Sequence, residues 1–286
     1  MAIYFSFQAA LCFSIAHILI RRGLVGSNAM TGSFISLAIS AVVLWSLVPF
    51  FTPVSALWTP AIAIFLGAGV LAPGIGRTLS YVGIEKIGVA RSVPIANSSP
   101  IFASIFAVVF LAENWVVQNI LGTLLVITGV IILSVARPVQ HEWRKLDVVY
   151  PLIGAMAFGA SAILRKAGLG FVNVPILAAA VTAGAAALFS FCLLQIQGGK
   201  GAVRLTRKSA VWLFTAGFFN TAAMLSVFYA LSHGKVVIVE PLVSSNPVMT
   251  LLLTAIFLRD LEALNLRVIV GALVTVAGTI LVVTAK

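Results

Sequence analysis

Only 7 acidic residues occur among 286, and one of them, Glu240, stands inside a long apolar run, KVVIVEPLVSSNPVM. An acid within a bilayer costs about 2.5–3.5 kcal/mol on insertion scales, so it is turned toward a cavity or a partner. Pro241 follows it directly, which biases residue 240 away from helical geometry and frees nearby carbonyls. Such an acid can bind a substrate ammonium or take up a proton. It can equally be a structural acid paired with Lys235, five residues away, or with His233. Deeper in the same run, Ser244, Ser245, Asn246 and Pro247 mirror Asn97, Ser98, Ser99 and Pro100 of an earlier run. Hydroxyls and amides there can hydrogen-bond a substrate's carboxylate or amine, or serve only to join helices and repair proline kinks.

Other candidates are single side chains. Phe7, Ser14, His17 and Arg21, spaced by seven, three and four, share one helical stripe, and a histidine can titrate near neutral pH. Tyr81 and Tyr229 can line an aromatic-friendly cavity or anchor helix ends at the interface. Asn220 and Phe228, eight apart, fall on one face. Arg77 and Arg91 are candidates for gating or for a substrate carboxylate, with snorkelling to headgroups and pairing with Glu85 as the structural alternative. Glu113 and Glu262 read as helix caps. Pro73, Pro94, Pro100, Pro241 and Pro247 are expected helix kinks. There is no GxxxxGK[ST] phosphate loop and no GxSxG turn. His17, His141 and His233 have no metal-ligand spacing, so neither an enzyme, a cofactor nor a metal site is expected.

The elements that must hold these groups follow from composition. Hydrophobic residues make up 61% and charged residues 9%, too few charges to cover a soluble surface. The apolar residues fall into ten blocks near 3–20, 29–51, 60–82, 87–112, 115–136, 147–166, 172–195, 209–231, 235–258 and 265–284, most near the length needed to cross a bilayer. The expected fold is all-α and polytopic. The net charge of +11 does not indicate nucleic acid, because the basic residues sit singly or in pairs between blocks. The densest group, Lys200, Arg204, Arg207 and Lys208, is suited to anionic lipid headgroups. Cys12 and Cys192 read as small core residues. The first block lacks the flanks of a cleavable signal and is expected to be a retained helix.

The chain repeats itself. Gly23, Leu24 and Asn28 recur 145 residues later as Gly168, Leu169 and Asn173. VPIANSSPIF and EPLVSSNPVM carry prolines at the same spacing of six. Phe110-Leu111 returns as Phe257-Leu258, and Glu113, Gly122 and Gly129 match Glu262, Gly271 and Gly278. These matches define a five-helix repeat at 1–137, a polar linker at 138–146 and a second repeat at 147–286. An odd number of helices per repeat forces opposite orientations, with a substrate site expected between the repeats near the midplane. The odd-numbered loops hold twelve Lys and Arg against four on the other side, which places those loops in the cytoplasm and both termini outside.

The proline-bearing fourth and ninth helices, the acidic helix ends FLAEN and FLRDLE, and the glycine-spaced ILGTLLVITGVIIL and IVGALVTVAGTILVV resemble the drug/metabolite transporter superfamily in its ten-helix form with two EamA-type repeats. The resemblance covers essentially the whole chain. It implies a secondary transporter in the bacterial inner membrane that works as a monomer, with membrane lipids and a small-molecule substrate as partners. Size and short loops are most similar to bacterial exporters of aromatic and other amino acids. Efflux of cationic or amphipathic drugs, and a passive channel, are the competing readings.

Overall fold

A computed structural model of the chain describes residues 1–87, 92, 95–134, 144–196, 198, 203–257 and 266–285. Among them, six helices are long and apolar enough to cross a membrane, and four shorter apolar helices complete the ten expected spans. The first two spans are α1 (Ala2–Gly23) and α2 (Ala29–Phe51). The third is α3 (Ala61–Gly69), a π-helical turn over Val70–Gly76, and α4 (Arg77–Ile87). The fourth and fifth contain α5 (Ser99–Leu111) and α6 (Val117–Ser134). In the second repeat α7 (Val149–Phe171), α8 (Pro175–Ile196) and α9 (Arg207–His233) cross in turn. The ninth span is broken into α10 (Val236–Val243) and α11 (Asn246–Phe257), and α12 (Leu266–Thr284) ends the bundle.

Contacts between these helices come in matched pairs. The first span packs on the eighth as the third packs on the sixth, and the first packs on the ninth as the fourth packs on the sixth. The second and seventh spans meet each other, as do the fifth and tenth. Such reciprocity is what a two-fold axis between inverted repeats produces. The α6–α12 seam shows it at atomic level. An added Cβ at Gly278 would stand 2.5 Å from Val126 N and 2.7 Å from Gly122 O, while one at Gly122 would stand 2.9 Å from Gly278 O. Gly129 faces Thr275 and Gly271 in the same way. Because Gly122 corresponds to Gly271 and Gly129 to Gly278, each contact is the other's mirror, and the helices run antiparallel. Small residues are needed here because lipid gives helices no hydrophobic reason to associate, so close backbone packing must do it.

Both broken spans use one local device. Ser98 Oγ donates to Ile95 O at 2.6 Å, and Ser245 Oγ donates to Leu242 O at 2.6 Å, 147 residues later. Pro247 lacks the N–H that would have met Val243 O, and Asn246 Nδ2 donates to that carbonyl instead at 3.3 Å. In the third span Pro73 lies inside the π turn, and Thr78 and Ser80 hydroxyls donate to Gly74 O and Gly76 O at 2.9 and 2.8 Å.

Two faces can be told apart. On one, the terminal face, Gln118 Nε2 donates to Thr284 Oγ1 at 2.9 Å. On the other, the basic face, Thr206 N donates to Gly26 O at 3.2 Å and Arg22 lies 5.0 Å from the Trp212 ring. A buried hydrophobic cluster, from Ala9, Leu44 and Phe65 to Ala107, Leu169, Leu231 and Val236, fills the terminal-face half.

Candidate functional site

The elements leave a cavity of about 480 Å³ between the repeats. Every span but the fifth and tenth contributes to its wall: Phe13 and His17 from α1, Leu37 from α2, Ala72 and Pro73 from the π turn, and Arg77 and Ser80 from α4. Ser92, Ala96, Asn97 and Ser99 come from the fourth span, and Phe158, Ser161 and Arg165 from α7. Thr182, Asn220, Met224 and Val227 follow, then Glu240, Val243, Ser244, Asn246 and Pro247 from the ninth span. The wall begins beneath the packed terminal-face half, at Arg165 and Glu240, and runs toward the basic face, where Arg77, Ser80 and Ser92 lie.

At the blind end Arg165 Nη2 stands 3.8 Å from Glu240 Oε1, and each side chain is 15% exposed. Arg165 Nε is engaged by Ser161 O at 3.3 Å, which leaves the Nη edge facing the acid and the cavity. Among the described residues Glu240 Oε1 has no hydrogen-bond partner. Toward the other end Arg77 Nη1 donates to Ser33 Oγ at 2.9 Å, and His17 stacks on Phe13 at 6.2 Å.

One residue beyond Arg165, Lys166 faces a separate depression on the terminal face, shared with Glu113, Asn114 and Lys235. Lys166 Nζ donates to Leu231 O and Gly234 O at 2.7 and 2.8 Å, tying α7 to the turn between α9 and α10. Glu113 accepts from Val236 N and Val237 N at 2.9 and 3.1 Å, so it caps the positive end of α10 in the opposite repeat. Its helix-capping role is as expected, but the helix it caps belongs to the other half of the chain. Ala112, in left-handed backbone with φ 51, turns the chain to bring it there.

Several sequence candidates stand elsewhere. Ser14 Oγ donates to Ala10 O and Asn246 O at 2.7 and 2.8 Å, fully buried behind the wall. Ser98 and Ser245 are folded back onto the kink carbonyls and do not line the cavity. Phe228 is 0% exposed and packs edge-on against Phe65 at 6.2 Å. Tyr229 stacks on Phe5 at 5.2 Å, nearer the terminal face. Pro100 and Pro241 are buried within the fourth and ninth spans. Arg91, Pro94, Glu262 and the side chains of Tyr81 and Glu85 lie outside the described residues. Glu240 pairs with neither Lys235, an exposed residue before α10, nor His233, whose Nδ1 is 2.8 Å from Tyr229 O.

The sixth apolar block ends at residue 166, which puts Arg165 and Lys166 among the four cations of the even-numbered loops; α7 continues five residues further, so both are inside the helix. A repeat comparison carried one helix further exposes the signal: at the offset of 145, Arg165 replaces Ile20, while Phe158 matches Phe13. Among the described residues no three His, Cys, Asp or Glu side chains gather into a metal-sized cluster.

The EamA-like transporter family matches residues 1–135 and 146–284. The chain belongs to this family. It is therefore a multi-pass membrane transporter of the drug/metabolite transporter superfamily. A solved structure titled only "Crystal structure of protein" superposes on this EamA-like transporter with a TM-score of 0.82, covering 99% of this chain and 96% of that one. At 17% identity that likeness speaks for the fold alone. No curated protein matches the sequence.

Proposed function

We propose that this transporter is a secondary carrier in the bacterial inner membrane that exports small metabolites, chiefly neutral and aromatic amino acids, by alternating access. The observation that carries the reading is the cavity of about 480 Å³, which is lined by charges of both signs and by two phenylalanines, Phe13 and Phe158. Its size falls within the range of small-molecule sites. Its extension toward the basic face supports loading from the cytoplasm, since that face carries the excess of Lys and Arg. Moving Arg165 into the span leaves twelve against three and strengthens that bias.

A drug exporter selecting organic cations would want its acid uncompensated, and Arg165 beside Glu240 opposes that. A passive channel would want a continuous path, and the packed terminal-face half opposes that. The test is counterflow in proteoliposomes preloaded with neutral, aromatic and cationic amino acids. Saturable uptake of label driven by a preloaded neutral amino acid supports the reading. Flux that rises linearly with concentration makes the protein a pore, and failure of every amino acid to support counterflow turns the reading to drug export.

A further inference from the structure

We propose that Arg165 and Glu240 form a single binding head for the α-carboxylate and α-ammonium of an amino acid, which bridges the two side chains from the cavity. This rests on the amino-acid reading above and names the atoms that would recognise the substrate. The separation of 3.8 Å is longer than a charge-assisted hydrogen bond, whose heavy atoms lie about 2.7–2.9 Å apart. The two groups therefore face each other without the bond that would offset their removal from water. Glu240 Oε1 is buried and has no hydrogen-bond partner among the described residues, and a carboxylate in that condition requires a donor. An ammonium supplies one. The guanidinium edge of Arg165, with only Nε held (by Ser161 O) among the described residues, is shaped to take a carboxylate on two parallel N–H bonds. A zwitterion bridging the two adds two opposite-charge contacts and no net charge to the membrane interior.

The molecule contains its own control. In the first repeat the corresponding positions are Ile20 and Val93, so the shared helix packing does not require a charge pair at this level. Charge also limits what the head accepts. A simple cation attracted to Glu240 meets Arg165, and a simple anion attracted to Arg165 meets Glu240; each arrangement places like charges together, which discriminates by repulsion. Only a solute bearing both charges on adjacent groups satisfies both residues. Phe13 and Phe158 line the same cavity and supply a surface for its side chain.

The experiment is competition in counterflow, using whichever neutral or aromatic amino acid supports wild-type exchange, its N-acetyl derivative and its methyl ester. The parent should compete, and each derivative should be weaker by about ten-fold or more, as expected for loss of a hydrogen-bonded charge. Glu240→Gln should erase the difference between the parent and the N-acetyl derivative. Arg165→Gln should erase the difference between the parent and the ester. These are changes of preference, which a misfolded variant cannot produce, and the wild-type competition decides the matter without any variant. If either derivative matches the parent within about three-fold on wild type, the head does not exist although amino-acid exchange stands. If no amino acid supports counterflow, both the amino-acid reading and this proposal fall.

Discussion

Around the cavity the first repeat supplies Phe13, Ala96 and Asn97 where the second supplies Phe158, Val243 and Ser244, side chains of similar kind at offsets of 145 and 147. The kink bonds of Ser98 and Ser245 match to the hundredth-nanometre scale at 2.6 Å each, and the glycine seam of α6 and α12 is reciprocal. The correspondence fails where charge or hydrogen bonding enters: Ile20 against Arg165, Val93 against Glu240, His17 against Ala162, and Ala72 against Asn220. Packing thus follows the repeat, as do the polar pairs Asn97/Ser244 and Ser99/Asn246, while the charged pair, His17 and Asn220 depart from it. The skeleton must be symmetric so that two inverted halves can exchange roles during alternating access. A solute is not symmetric, and the groups that would grip it need not be either.

The comparison can be broken most severely by making the chemistry as symmetric as the packing. Arg165→Ile combined with Glu240→Val copies the first repeat onto the second, and transport should fall by about 100-fold or more while the fold survives. Replacing a buried ion pair by apolar residues is often neutral or stabilising by about 1–4 kcal/mol. Counterflow and a thermal melt of the purified protein read the two effects separately. Arg165→Ile alone should instead destabilise by about 3–5 kcal/mol, because Glu240 is then left buried without its counter-charge.

The opposite experiment damages the symmetric part. Gly278→Val places a branched side chain where even a Cβ would stand 2.5 Å from Val126 N. Backbone cannot yield as a flexible side chain can, so the α6–α12 seam should part, with a loss of melting temperature and of folded yield. Phe228→Ala sharpens the distinction between core and cavity. It should cost about 3–5 kcal/mol in the melt and leave the half-saturation concentration of surviving protein unchanged. Asn220→Ala, which copies Ala72, is the mildest: a change of about two- to five-fold in half-saturation, the scale of one neutral hydrogen bond, with little change in melting.

The architecture was legible in the sequence because it depends on periodic and repeated features: apolar blocks of bilayer length, paired prolines and paired glycines. The cavity was legible in part. Glu240, Asn97, Ser99, Asn220, Ser244 and Asn246 could be chosen because polar residues are rare within apolar runs, and all line the wall. Ser98 and Ser245 were indistinguishable from their neighbours by residue type, since only backbone geometry decides which hydroxyl repairs a kink. Arg165 was obscured by position. A cation near the end of an apolar block looks like a loop residue; in the structure the helix continues past it, with Arg165 beside Glu240 of the ninth span and Lys166 donating to Leu231 O and Gly234 O.

That adjacency of Arg165 and Lys166 has an electrical consequence. One side chain faces the cavity and the next faces the depression on the terminal face, so the two compartments meet α7 at neighbouring residues. Once water fills the cavity from the basic face, the membrane voltage drops mainly across the packed terminal-face half. A unit charge crossing it does work of about 2.3 kcal/mol per 100 mV in one step. A zwitterion crosses with no net charge, so its exchange should be insensitive to voltage, whereas a cationic cargo carried by the same route would generate current.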